Sequence, residues 1–451
     1  MNNKFKIFRV WQPLAGFLVL IPVLLAVASC STNTDHYKGI DASIESSSFA
    51  TALVVMEDPK IRNKLYPPKN EILYHLDRGM IEHHAGLWEA SSQSLQLGER
   101  LIEEAFTKSI SQAVTSYIAN DNTKEYSGED YEDIYINVFN ALNYYHRGSL
   151  ESAMVEIRRV NEKLLHLANK YEVAVEKAKG ASDLLAGNPD YAIEAKSFSN
   201  SALARYLGVL FYRANGNRDS ARIDMEELRR AFALAPSIYT FPVPTSLDEE
   251  LEIPMGEARL NVLSFTGLSP VKEEINIMLP LPFPAPNNRA RLSLPQMIIR
   301  PSVITSTEVV VEAPGFSEKF KLELLEDMGK VAQETFTARY GLILLKSAAR
   351  TIIKNAASAV AAKVANERGS GFGSLVGLAG SLASNLSENA DIRIARYFPS
   401  YAYIGGISLE PGVYNVTINH YNNFGLVATE SRENFHVREG RLNLTEFICL
   451  K

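Results

Sequence analysis

Cysteine is the scarcest resource in this chain. There are two in 451 residues, Cys30 and Cys449, too few for a disulfide framework. Tryptophan also occurs only twice, and the eight histidines are scattered apart from His83-His84. Long basic runs are missing: 46 Lys and Arg against 52 Asp and Glu leave a net charge of -6, without the electrostatic footprint of a nucleic-acid binder. No Gly-x-Ser-x-Gly elbow, Walker-type phosphate loop or His-Glu-x-x-His spacing occurs, so the common hydrolase, nucleotide and zincin signatures are excluded. What remains is ordinary globular composition, 46% hydrophobic and 22% charged, sized for two or three domains.

The longest apolar run, Leu14 to Ala28, follows a basic stretch of Lys4, Lys6 and Arg9. It falls short of the roughly 20 residues that cross a bilayer and ends in small residues, so it reads as a signal peptide over residues 1–29. Val27-Ala28-Ser29-Cys30 resembles the bacterial lipobox, which implies cleavage between Ser29 and Cys30 and acylation of the Cys30 thiol. Two or three acyl chains give a stable anchor, at about 0.8 kcal/mol per buried CH2. Ser31 stands where an Asp would favour inner-membrane retention, so the expected location is the outer membrane, facing the periplasm. Removing the leader takes three positive charges from the total of -6, leaving -9. Cys449 is then left unpaired in the apolar Phe447-Ile448-Cys449-Leu450 run and reads as a buried strand residue. Residues 30–48 read as a lipidated flexible tether, polar and small from Thr32 to Ser48.

Proline positions divide the rest. One proline, Pro189, lies between Pro68 and Pro236; twelve occur from Pro236 to Pro314; none occurs from Gly315 to Phe398. Proline is costly inside helices and at home in turns and edge strands. The expected fold is therefore α+β. A helical array spans 49–236, a linker 237–256 and a strand segment 257–316. A helical hairpin is inserted at 317–390, and a second strand segment, 391–451, completes one antiparallel sandwich or barrel. The helical array carries a repeating order of small and large residues: Gly79, Gly86, Trp88, Ser91, Leu95 and Gly98; Ala141, Gly148, Leu150, Ala153 and Ile157; Leu207, Gly208, Phe211, Ala221 and Met225. This order resembles a tetratricopeptide (TPR) unit. Spacings of 62 and 67 between Gly79, Ala141 and Gly208 leave room for further helices, for which Leu101 to Ile118 and Val160 to Lys179 are candidates. The Pro280 to Pro286 segment reads as a polyproline connector. The apolar stretch 373–386, with Gly373, Gly377 and Ser381 at four-residue spacing, is a candidate self-association surface.

No catalytic, cofactor or metal site is expected. His83 and His84 project about 100° apart on a helix and cannot share a metal as an i, i+4 pair does. Candidate partner-binding residues are Tyr126, in the acidic loop Tyr126 to Glu132, and Glu156, Arg158 and Arg159 in the Val155 to Arg159 run. Guanidinium groups lining a concave helical face would hold a partner's carboxylate; the plain alternative is an interhelical ion pair.

These landmarks together with Leu73 to Gly79, Leu207 to Tyr212, Ala390-Asp391-Ile392-Arg393 and Pro411-Gly412 resemble a family of bacterial outer-membrane lipoproteins with TPR-like helices and no assigned activity. The resemblance implies an envelope protein with no known catalytic residues, and no enzymatic activity is expected. The expected role is a lipid-anchored periplasmic scaffold that engages a protein or envelope polymer through its helices. The alternatives are an accessory factor for cell-wall or surface-polymer assembly, such as a peptidoglycan synthase regulator, an oligomeric component of an envelope machine, or a cell-wall hydrolase.

Overall fold

The computed structural model describes residues 34–111, 124–182, 198–280, 289–367 and 389–451. Helices precede sheets, and the class is α+β. The described chain starts with three short helices, α1 (Thr34–Glu45), α2 (Phe49–Glu57) and α3 (Pro59–Leu65). Three helical hairpins follow: α4 (Glu71–His84) with α5 (Trp88–Ser111), α6 (Asp130–His146) with α7 (Leu150–Ser182), and α8 (Ala202–Ala214) with α9 (Arg218–Leu234). Each hairpin turns at a glycine of positive φ, Gly86 (73°), Gly148 (76°) and Gly216 (75°), a conformation that a Cβ would strain. Close approach of α4 and α5 is set by Gly79, where a Cβ would come within 2.7 Å of the Leu95 side chain.

Two expectations for the helical part are corrected. The polar stretch read as a flexible tether holds α1, because Tyr37, Ile40 and Ile44 recur at helical spacing and all three are buried. Leu101 to Ser111 and Val160 to Lys179 are not separate helices but the continuation of α5 and α7, neither of which is interrupted by a proline. The segment read as a linker, 237–256, is also packed: Ile238, Tyr239 and Leu247 are buried, the last in a 3-10 turn, Thr245–Glu249.

The strands are β1 (Ala258–Leu268), β2 (Val271–Pro280), β3 (Arg289–Ile298), β4 (Ser306–Ala313), β5 (Phe316–Lys321), β6 (Glu323–Asp327), β7 (Pro399–Leu409), β8 (Gly412–Asn422), β9 (Gly425–Val437) and β10 (Asn443–Cys449). They form a four-stranded sheet β10-β1-β7-β6, another β5-β4-β8-β9, and a two-stranded ribbon β2-β3. The expectation of one all-antiparallel unit fails at β10, which lies parallel to β1 with Ser264 opposite Phe447. Parallel pairing suits a strand covered on both faces, and every residue of β1 is buried. Its side chains alternate: Ala258, Leu260 and Val262 share a core with Val309, Val416 and Ile418 of the second sheet, while Leu263 and Phe265 join the helical core. The first sheet is thus a middle layer between helices and the second sheet.

The expected helix from Ser317 is corrected over its first eleven residues, which belong to β5, Leu322 and β6. Gly315 (φ 80°) turns β4 into β5, and absence of proline does not by itself make helix. Helix α10 (Met328–Glu367) starts where the Asp327 carboxylate accepts the Lys330 backbone N–H at 2.8 Å. Its Ile343 and Leu344 pack on Ile275, Leu292 and Leu294 of the ribbon. The polyproline segment beyond Pro280 and the 373–386 stretch lie outside the described residues. No helix among the described residues is long and apolar enough to cross a membrane.

Candidate functional site

The first helix of each hairpin, α4, α6 and α8, is buried along most of its length, whereas the second helices expose one side. What covers the first helices is the rest of the chain. Residues 389–398 run without regular structure from the α10 side to β7, and Ile394 to Phe398 are all buried against α4 and α6. The backbone of this segment is held by side chains of both helices. Asp77 Oδ1 accepts the Arg396 N–H at 2.7 Å, Glu132 Oε1 accepts the Ala395 N–H at 2.6 Å, and His84 Nε2 lies 2.9 Å from the Tyr397 carbonyl. The hydroxyls of Tyr131 (3.2 Å) and Ser269 (3.0 Å) donate to the Ala395 carbonyl. Arg396 reaches α1, pairing with Asp41 at 2.7 Å over the Tyr37 ring. The sides of α4 and α6 that face the sheets thus hold an extended segment of the chain itself.

Each sheet strand nearest the helices adds a buried polar contact. Glu326 of β6 accepts from the hydroxyls of Tyr135 (2.5 Å), Tyr239 (2.7 Å) and Ser201 (2.8 Å) and from the Leu203 N–H (3.1 Å). Asn261 of β1 donates to Glu250 at 2.7 Å and accepts from Arg213 at 2.8 Å. Glu446 of β10 stands 2.8 Å from His83 Nε2 and 3.4 Å from His146 Nε2. The other ring nitrogen of His83 lies 2.7 Å from Asn143 Oδ1, and Asn143 itself donates to Ser91 at 2.9 Å. His146 stacks on Trp88 with centroids 4.2 Å apart.

These carboxyls differ in their electrostatics. Burial pushes Asp77 up to about 7 against its bonds from Arg396 and Tyr66. Burial and the Glu129 charge push Glu132 up to about 8. Burial alone would also raise Glu446, yet His83 and His146 hold it below the usual carboxylate range. Burial, aided by His83, lowers His84 to about 3. The two adjacent histidines serve different neighbours, as their divergence on one helix requires. Among the described residues no three His, Cys, Asp or Glu are grouped so as to hold a metal ion.

The four expected partner-binding residues do not form one site. Tyr126 is buried, its hydroxyl 2.8 Å from both Glu132 oxygens and its ring under the Arg393 guanidinium. Glu156 is buried between helices, accepting from Asn137 at 2.6 Å and facing Arg159 at 3.7 Å. Arg159 binds Glu99 of α5 at 2.9 Å, so this run is the interhelical ion network rather than the lining of a groove. Arg158 alone is exposed. Sequence reasoning missed Asp77, Glu132, Glu326 and Glu446. The available signal was an acidic residue on the apolar face of a helix or strand, as in Leu73, Asp77 and Met80.

A buried Ser–His pair also occurs, Ser264 Oγ with His420 Nε2 at 3.0 Å between the two sheets. His420 Nδ1 has no hydrogen-bond partner among the described residues, so the orienting third member of a nucleophilic triad is missing. No protein-family model, curated protein or solved structure matches the chain.

Proposed function

We propose that the protein is a lipid-anchored scaffold of the bacterial envelope, held in the outer membrane by acylated Cys30 and facing the periplasm. Its hairpins act as TPR-like repeats, backed by a sandwich-like strand unit, and they engage a protein or envelope polymer. The observation that carries this reading is the lipobox Val27 to Cys30, set behind a basic and apolar leader and just before a folded body. The face available to a partner is the outer one, formed by α5, α7 and α9. Val155, Leu165, Ile223 and Leu234 are exposed there, with Arg158 among them, whereas the inner face is filled by residues 394–398 and the first sheet.

The test has two parts. Mass spectrometry of membrane-extracted protein is expected to find the acylated peptide beginning at Cys30, and Cys30→Ala is expected to leave the outer-membrane fraction. A photocrosslinking residue at Leu165 or Arg158 is expected to capture a defined partner in cells, while one at Tyr126 captures none. Capture from Tyr126 alone would reverse the assignment of the faces. A second reading, a component of an oligomeric machine, draws on the β2-β3 ribbon, whose outer edges pair with no other strand among the described residues.

A further inference from the structure

Resting on the proposed acylation of Cys30, we infer that the α1–α2 hairpin is the membrane-facing end of the molecule, with Leu53 and Val54 seated at headgroup level in the leaflet that holds the lipid. The argument starts from chain length. Helix α1 begins at Thr34, so only residues 31–33 separate it from the anchor. Four extended steps span about 14 Å at most. A body tied that closely cannot stand off the bilayer, and the part of it nearest the anchor must meet lipid.

The first turn of α1 is polar, with Asp35 paired to Lys38 at 2.6 Å, and the apolar surface at this end belongs to the helix packed beside it. Helix α2 reads Phe-Ala-Thr-Ala-Leu-Val-Val-Met-Glu and follows α1 through a tight turn in which Ser47 has φ 56°. The two helices run back to back: a Cβ on Gly39 would lie 3.2 Å from a Val55 methyl, placing the later half of α2 beside the anchored half of α1. Ala52 and Met56 point into the core, but Val54 is 72% exposed. Leu53, Val54, Glu57 and Asp58 line an open depression of about 490 Å3 at this end. The charges on its rim are already engaged. Glu57 pairs with Arg62 at 3.0 Å and Arg78 at 2.8 Å, and Asp58 caps α3 through the Lys60 N–H at 2.8 Å. An apolar helix side beside an ion-paired Glu57 and a hydrogen-bonded Asp58 suits the headgroup boundary, where its water-exposed surface is removed. A second copy of the chain or another protein could cover the same side chains, but neither is tied to within a few residues of them.

The experiment uses the full acylated protein in vesicles of phosphatidylethanolamine and phosphatidylglycerol. An environment-sensitive fluorophore is attached at Val54→Cys or, for comparison, at Phe424→Cys in the exposed β8–β9 turn. Cys449 is buried and does not compete for the label. Expected is a blue shift and a several-fold rise in emission at position 54, quenched by spin-labelled lipid, with no change at 424. Position 54 remaining in water while mass spectrometry finds the acyl group would overturn the orientation and leave the anchor standing. An emission already shifted in the lipid-free chain without vesicles would also overturn it, assigning the face to protein contact. An unmodified Cys30 would overturn the anchor and this orientation together.

Discussion

Glu446 is the residue on which the seam between helices and strands turns. It sits on the last strand, is buried, and meets His83 of α4 and His146 of α6, 363 and 300 residues away in the chain. Enclosed charges are tolerated only when paired, and removing one member leaves the other stranded. Glu446→Ala is therefore expected to cost about 3–5 kcal/mol in a denaturant titration. His83→Gln, which keeps one polar end toward Glu446 or Asn143, is expected to cost less. If the two variants unfold at the same midpoint, the ion pair is not what holds β10. Glu326 differs in kind: among the described residues four donors and no cation surround it, so its contacts there are hydrogen bonds.

At the scale of elements, the glycines of the hairpins do two jobs that substitution separates. Gly79→Ala drives a methyl into Leu95 where α4 and α5 touch, and overpacking of this kind costs about 1–3 kcal/mol. Gly148→Ala meets nothing within 4 Å and incurs only the strain of positive φ, about 1–2 kcal/mol. Thermal melts should rank the first as equal or worse, and in a Leu95→Ala background, itself less stable, the further cost of the first should shrink while that of the second is unchanged. Both glycines were legible, because a small residue at a fixed place in a helical repeat has a physical job. So were the two strand segments, 257–316 with β1 and β4 and 391–451 with β8, through the placing of proline. The boundaries that failed did so for identifiable reasons. Helix α1 is mostly polar and shows its Tyr37, Ile40 and Ile44 stripe only on a helical projection. Strands β5 and β6 lack proline and were absorbed into the helix that follows. The pairing of β10 with β1 joins residues about 180 positions apart, and no local pattern specifies such a partner.

For the whole molecule, the division into a helical and a strand domain does not describe the packing. One core runs from Tyr37 through Phe139 and Phe265 to Phe398 and Leu450. Unfolding is expected as a single calorimetric transition, and residues 34–256 alone are expected to lack a near-UV circular dichroism signal, since Phe265 and Ile394 to Phe398 would be missing from their core. The same enclosure sets the response to pH. Asp77 and Glu132 bind their protons more tightly folded than unfolded, so stability falls as pH rises from about 4 through 7 and 8 and levels off above. His84 and His420, lowered to about 3 and 4, act oppositely: the unfolded chain takes up protons below about 6.5, so stability falls as pH drops from there. Glu446 adds to the acid side, its contribution present above the unfolded value and lost as pH falls. Between about 4 and 6.5 the carboxyls and histidines offset each other, and above 6.5 the carboxyls act alone. The melting temperature should therefore decline from pH 6.5 to 8. The groups facing these carboxyls, Tyr66, Arg396 and Asp41 around Asp77 and Glu129 and Tyr126 around Glu132, remain in Asp77→Asn combined with Glu132→Gln. That double variant should lose the decline, and a decline that persists in it would place the alkaline sensitivity elsewhere in the molecule.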